Sequence, residues 1–254
     1  MITDYLRRHP FAVDAFFRWS LVLTYAFRPE VLRPLLPPGL TLDTHGEGTD
    51  ECGFLAIALV QTERLRPKGV PALLGRSFFL SGYRIFTRFS RAGRPSLRGL
   101  RILRSDTDRW LMVHLGNLFT HYGYRHARVD ARRAGDRLIV DVRTRAHEAD
   151  LHVEADLAPA SAPPAGSPFR SIADARRFAG PLPHTFDADA DPSKLLVVQG
   201  VRASWDPRPV TIVAHSSTFL AGPAFAGAPP RLANAFFVEN VAYAWRPGRL
   251  EAIA

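Results

Sequence analysis

Ser81-Gly82-Tyr83-Arg84-Ile85-Phe86-Thr87-Arg88-Phe89 and Leu97-Arg98-Gly99-Leu100-Arg101-Ile102-Leu103-Arg104 are two aromatic and aliphatic runs joined across Arg91-Ala92-Gly93-Arg94-Pro95. Such runs, separated by a glycine- and proline-bearing turn, predict a hairpin with strands at Ser77 to Phe89 and Leu97 to Thr107. Alternation places Arg84 and Arg88 on one face with Phe86, and Arg101 on a face with Leu97 and Leu103. An arginine at such an apolar position is costly to bury alone, so it calls for a carboxylate from the protein or from a ligand. The competing reading is structural: either arginine pairs with Glu239 or Asp106, or faces water at a sheet edge.

Outward from the hairpin, more strands follow. Trp19 to Ala26 reads as a buried strand after a short helix near Asp14, and Cys52 to Arg64 as another. Pro29 to Leu36 reads as a short helix stopped by Pro37-Pro38-Gly39, and Leu40 to Asp43 as a brief strand. Leu111, Leu115, Leu118 and Tyr122 recur on one helical face, predicting a helix over Asp108 to Tyr122 with Asp108 as its N-cap. Tyr124 to Ala131, Arg137 to Thr144 and Leu151 to Asp156 suit an antiparallel meander. After an Ala/Pro/Ser-rich loop and a helix near Ser171 to Phe178, strands are expected at Leu195 to Ser204, Thr211 to Leu220 and Ala235 to Ala244. Strands dominate with no βαβ alternation, which predicts an α+β chain with a large antiparallel sheet or barrel.

The length of 254 residues suits one domain, expected to span residues 1–254. A formal charge of +9 would suit a polyanion, but the arginines are dispersed in nothing longer than pairs such as Arg7-Arg8 and Arg132-Arg133. No nucleic-acid partner is therefore expected. Cys52 is the single cysteine, so no internal disulfide forms and a cytoplasmic location is expected. Asp14 and Arg18 interrupt the N-terminal apolar stretch, and neither signal peptide nor membrane helix is expected.

Among 33 lysines and arginines only Lys68 and Lys194 are lysine. Schiff-base chemistry needs a desolvated, neutral amine, whereas a guanidinium stays charged and holds carboxylates, enolates or phosphates. Lys68 sits in the turn Arg66-Pro67-Lys68-Gly69 and Lys194 at the mouth of a strand; of the two, Lys194 is the better placed. Asp187, Asp189 and Asp191 open like a calcium loop, but Pro192 and Val198 stand where glycine and glutamate are required. His147 and His152 are five apart, not the four of a zinc-protease helix. His114 and His121, seven apart on the expected helix, share a face and suit either an acid–base pair or plain half-buried histidines. No serine-nucleophile elbow, phosphate loop or dinucleotide turn is present. No metal and no cofactor are expected.

Three stretches together resemble the uncharacterised YqjF-like family, the domain of unknown function 2071, in the acetoacetate decarboxylase-like superfamily. They are Leu32 to Asp43, with its Leu35-Leu36-Pro37-Pro38-Gly39-Leu40 turn; Gly82 to Arg88 through Gly93-Arg94-Pro95 to Leu100-Arg101-Ile102-Leu103; and Ala235 to Arg246. The resemblance implies a curved antiparallel sheet closed into a cone or barrel around a small-molecule pocket, with a few peripheral helices. Acetoacetate decarboxylases form a Schiff base through a lysine on an interior strand. The corresponding region here, Leu97 to Ser105, has arginines and no lysine, and Leu80-Ser81-Gly82 stand where related chains carry an acidic residue and an asparagine.

The reading that follows is a protein binding a small anionic or oxygen-rich molecule without lysine-dependent decarboxylation. Its expected site is Arg84 and Arg101 as anion clamps, Tyr83 as a hydrogen-bonding wall, His114 as an acid–base group and Glu239 as counter-charge. The alternative is a lyase or hydro-lyase on a keto or enol acid, with arginine stabilising an enolate and His114 or Glu239 moving protons. Whether the chain is an enzyme at all, and whether it forms a homo-oligomer, both stay open.

Overall fold

The computed structural model describes residues 2–180 and 182–253. In chain order its strands are β1 (Val13–Phe27), β2 (Leu40–Leu42), β3 (Gly53–Pro67), β4 (Arg76–Arg91), β5 (Arg94–Thr107), β6 (Tyr124–Ala134), β7 (Arg137–Thr144), β8 (Leu151–Asp156), β9 (His184–Ala188), β10 (Lys194–Arg202), β11 (Arg208–Pro209), β12 (Thr211–Ser217), β13 (Arg231–Trp245) and β14 (Arg249–Ala252). The α-helices are α1 (Ile2–Arg7), α2 (Pro29–Leu32), α3 (Trp110–Phe119) and α4 (Ile172–Ala179).

The opening hairpin forms as β4 and β5, with Phe86 opposite Leu100 and Arg88 opposite Arg98. Long central strands β1, β3 and β13 extend it, and alternation gives each of them two buried faces. Leu21, Leu23, Leu55, Ile57, Phe79 and Tyr83 pack on one side, against the β6–β7–β8 meander and its Leu138, Val140 and Val153. Ala58, Val60, Leu80 and Val238 face the other side, with Phe17 and Tyr124. Burial on both faces explains why these strands read as near-continuous apolar runs.

The expected closed antiparallel cone or barrel is not what forms. The sheet is mixed and makes a partial ring, in the order β12-β8-β7-β6-β5-β9-β10-β13-β1-β3-β4-β2, with β12 and β2 as its edges. β5 runs parallel to both β6 and β9, and the β5–β9 and β10–β13 pairings cover only three residues each.

Two local expectations also change. Residues near Asp14 are strand rather than helix, because Ala15, Phe17 and Trp19 are buried at the two-residue period of a sheet. Helix α3 begins at Trp110, and Asp108 is not its cap: its carboxylate accepts from the Phe79 amide at 2.7 Å. The leucine face of α3 stays open, with Leu111 50% and Leu115 43% exposed. Gly116 is the buried residue, seated so close to Tyr124 that a Cβ would lie 2.3 Å from its ring.

His9, between α1 and β1, packs its ring 4.8 Å from Tyr122 and leaves Nε2 buried without a partner. Burial, aided by His121, depresses its pKa to about 3. The neutral form is the folded form, so below the unfolded value of about 6.5 the unfolded chain binds the extra proton and stability falls with pH. The loss is up to roughly 1.4 kcal/mol per pH unit and ceases below the folded pKa. His9 has φ 53°, which asparagine tolerates, so His9→Asn is the appropriate variant. Urea unfolding at pH 7.0 and 5.5 should show a difference smaller by about 1 kcal/mol in the variant; an identical difference would refute the assignment.

Candidate functional site

The second face of the sheet does not fill completely. Ala56 and Ala58 on β3 are short, and with Ser20 and Val22 on β1 they floor a cavity of about 130 Å³. Arg84 reaches into it from β4. Gly82, two residues earlier on the same face, leaves the room: a Cβ there would meet the guanidinium at 3.1 Å. On the facing wall Gly200 of β10 plays the same part for Tyr243, whose hydroxyl would lie 1.9 Å from a Cβ. Arg202 enters two residues further along, its guanidinium 4.8 Å from the Trp205 ring and 5.8 Å from that of Tyr243.

Breaks in strand alternation complete the lining. β13 contributes Phe236 and Val238, then Tyr243 and Trp245. The change of parity falls at Asn240, which has φ 55° and, like Arg18 opposite it, drops out of the β1–β13 register. β1 changes likewise from Phe17 to Ser20 at a register shift against β3, and β5 from Ile102 to Ser105 at a shift against β4. The β1 and β5 shifts are bulges, which re-aim side chains, and with the positive-φ Asn240 in β13 the three phase changes aim at one space.

The electrostatics are one-sided. Arg84 is part-buried, and desolvation pulls its pKa below the usual guanidinium value, offset only by Tyr243, Tyr122 and Tyr124. Its Nε is buried with no hydrogen-bond partner. Burial likewise lowers Arg202, offset by Tyr243. Neither arginine forms an ion pair among the described residues, and no Asp, Glu, His, Lys or Cys lines the cavity. Burial raises all three tyrosines, Tyr124 to about 12, so each keeps its proton at neutral pH. The Tyr122 hydroxyl lies 2.9 Å from Thr185 Oγ1. The cavity therefore presents two cations, protonated phenols and an apolar wall, the setting in which a hydrogen-bonded anion is strongly favoured.

Of the residues expected at the site, only Arg84 lines this cavity. Tyr83, its neighbour in β4, points through the opposite face, its ring 4.3 Å from Phe219. Arg101 is neutralised by Asp187. His114 is exposed on α3, its ring centroid 6.3 Å from Trp110. Glu239 accepts from Arg208 at 2.9 Å and also pairs with Arg133. Asp106 serves Arg104, which reaches it at 2.8 Å and Glu148 at 2.9 Å. Lys194 is 44% exposed and lies 2.8 Å from Asp191. Among the described residues no cluster of metal-ligating side chains occurs, and no helix is long and apolar enough to cross a membrane.

Sequence reasoning missed Arg202 and the three tyrosines. Gly200-Val201-Arg202 shares with Gly82-Tyr83-Arg84 a glycine two residues before an arginine, but so do Gly99-Leu100-Arg101, Gly123-Tyr124-Arg125 and Gly135-Asp136-Arg137, so the pattern does not single Arg202 out.

The model of the family DUF2071, described as an uncharacterized conserved protein, matches residues 16–242. No curated protein matches the chain. Among solved structures, the acetoacetate decarboxylase of Legionella pneumophila is similar at 13% identity and TM-score 0.62, over 96% of this chain and 88% of that one. The enduracididine biosynthesis enzyme MppR, complexed with pyruvate, is similar at 15% identity and TM-score 0.59, over 96% and 91%. An acetoacetate decarboxylase-like enzyme from Sphingomonas wittichii gives 16% identity and TM-score 0.53, over 95% and 92%. These likenesses establish the fold.

Proposed function

We propose that this chain, which belongs to the DUF2071 family and is structurally similar to the acetoacetate decarboxylase-like superfamily, binds a small organic carboxylate or oxo acid between Arg84 and Arg202. The observation that carries the reading is two guanidiniums in one cavity with no carboxylate to neutralise either. Size supports it: an apolar cavity of about 150 Å³ accommodates benzene, and this one, at about 130 Å³, suits a headgroup of similar bulk. MppR holds pyruvate on the same scaffold. Neither lysine lines the cavity, which supports binding without a Schiff base. The lyase alternative needs a group to move protons, and His114 and Glu239 both lie elsewhere; no observation favours it.

Calorimetric titration with pyruvate and its neutral amide tests the reading. The acid should bind, and the amide should bind at least tenfold more weakly, since a hydrogen bond to a charged group contributes about 1.5–3 kcal/mol. Arg202→Ala should weaken pyruvate by a similar factor. Equal binding of acid and amide, or an unaltered Arg202→Ala, would overturn it.

A further inference from the structure

A second, larger space of about 810 Å³ lies under helix α3. Its walls are largely apolar and come from different parts of the chain, among them Phe11, Leu74, Leu111 and Leu115, with three arginines, Arg66, Arg76 and Arg109, at its border. The three leucines are substantially exposed, Leu74 at 63%, Leu111 at 50% and Leu115 at 43%. Leucines on the one helical face that should have been buried are instead lining a groove.

The groove and the arginine cavity are not independent. Leu80, Tyr122, Tyr124 and Trp245 line both. Their apolar edges form the boundary between the two spaces, and the Tyr122 hydroxyl is held toward Thr185 on the cavity side. The charged end is too small for more than a headgroup, while the adjoining groove has several times its volume and offers no carboxylate or lysine along its walls.

We propose that the ligand is amphipathic: a carboxylate headgroup at Arg84 and Arg202, continued by an aliphatic chain that passes Tyr122 and Trp245 into the groove under α3. This rests on the headgroup reading above and names its substrate class. An unbranched acyl chain fits better than a polar extension, because the groove is mostly apolar and two of the three arginines at its border are already engaged, Arg66 by the Val70 carbonyl and Arg109 by Asp108. It also accounts for the exposure of Leu111 and Leu115 on α3: the tail is what covers them.

The test is a chain-length series on the intact protein, with Kd measured for butanoate, hexanoate, octanoate and decanoate beside pyruvate. Affinity should rise with length, by at most about fourfold per methylene from the cost of exposing a CH₂ to water. Leu115→Asp and Leu111→Asp, at exposed positions that the fold tolerates, should each weaken decanoate at least tenfold and leave pyruvate unchanged. Flat affinity across the series with pyruvate still bound overturns the tail and leaves the headgroup reading intact. Loss of pyruvate and butanoate binding to the wild type removes both. A second copy of the chain is the rival occupant of the groove: if sedimentation shows that Leu115→Asp dissociates an oligomer while decanoate affinity is unaffected, the groove is an interface and the proposal fails.

Discussion

Replacing Arg84 by methionine should abolish carboxylate binding and raise the melting temperature of the ligand-free protein. The two effects have one cause. Arg84 is part-buried, its Nε fully enclosed and unsatisfied, with no ion-pair partner among the described residues, so the protein without ligand bears part of the desolvation cost of a charge without the attraction that would offset it. Methionine fills much of the same volume with flexible apolar atoms. Substituting buried charges by apolar residues of similar size stabilises other proteins by about 1–4 kcal/mol, and at this chain length each kcal/mol moves Tm by roughly 2–4 °C. Thermal unfolding without ligand, and pyruvate titration of the same sample, check both halves. A lower melting temperature would mean that Arg84 has a structural partner and that the cavity is not an anion site.

Asp43→Ala should cost the fold about 3 kcal/mol, toward the lower end of what breaking a buried pair costs. Asp43 follows β2 and is fully buried, and its two oxygens each accept from an arginine Nε at 2.6 Å, Arg88 on β4 and Arg98 on β5. Those arginines sit directly opposite one another in the hairpin, where like charges repel. Removing the carboxylate leaves that repulsion uncompensated, moderated because Arg88 is 43% and Arg98 29% exposed. Urea denaturation is the measurement. Asp43→Asn, which keeps the shape without the charge, separates the ionic share; a loss below about 1 kcal/mol for Asp43→Ala would place the pair with ordinary surface bridges.

The hairpin was legible because its alternation and turn obey local rules, and Arg84 with Phe86 on one face followed from the same period. The meander strands β7 and β8 fall where Arg137 to Thr144 and Leu151 to Asp156 had been expected. What local rules hide is the bulge. Nothing in Leu103, Arg18 or Asn240 announces that a strand changes phase there, so Tyr243, Trp245 and Ser105 could not be assigned to the face of Arg84. β9 was missed because His184 to Ala188 is short and runs into the alternating Asp187, Asp189 and Asp191, yet its Asp187 is the carboxylate that takes Arg101 out of contention. Pairing Tyr83 with Arg84 in one site ignored that adjacent strand residues face opposite ways. Partner choice among many arginines is a tertiary property, and composition alone could count the cations without saying which are spent.

The phase changes carry a consequence for how such a container diversifies. Because three strands are already out of step at the cavity, its lining is set by spacing as much as by residue type. Deleting one residue at Asn240 would restore an unbroken alternation through β13 and turn Tyr243 and Trp245 away together, without altering either side chain. A lineage can therefore exchange a whole wall of its binding space in one step of length, and comparisons that score only substitutions at aligned columns will undercount how far two such containers have diverged.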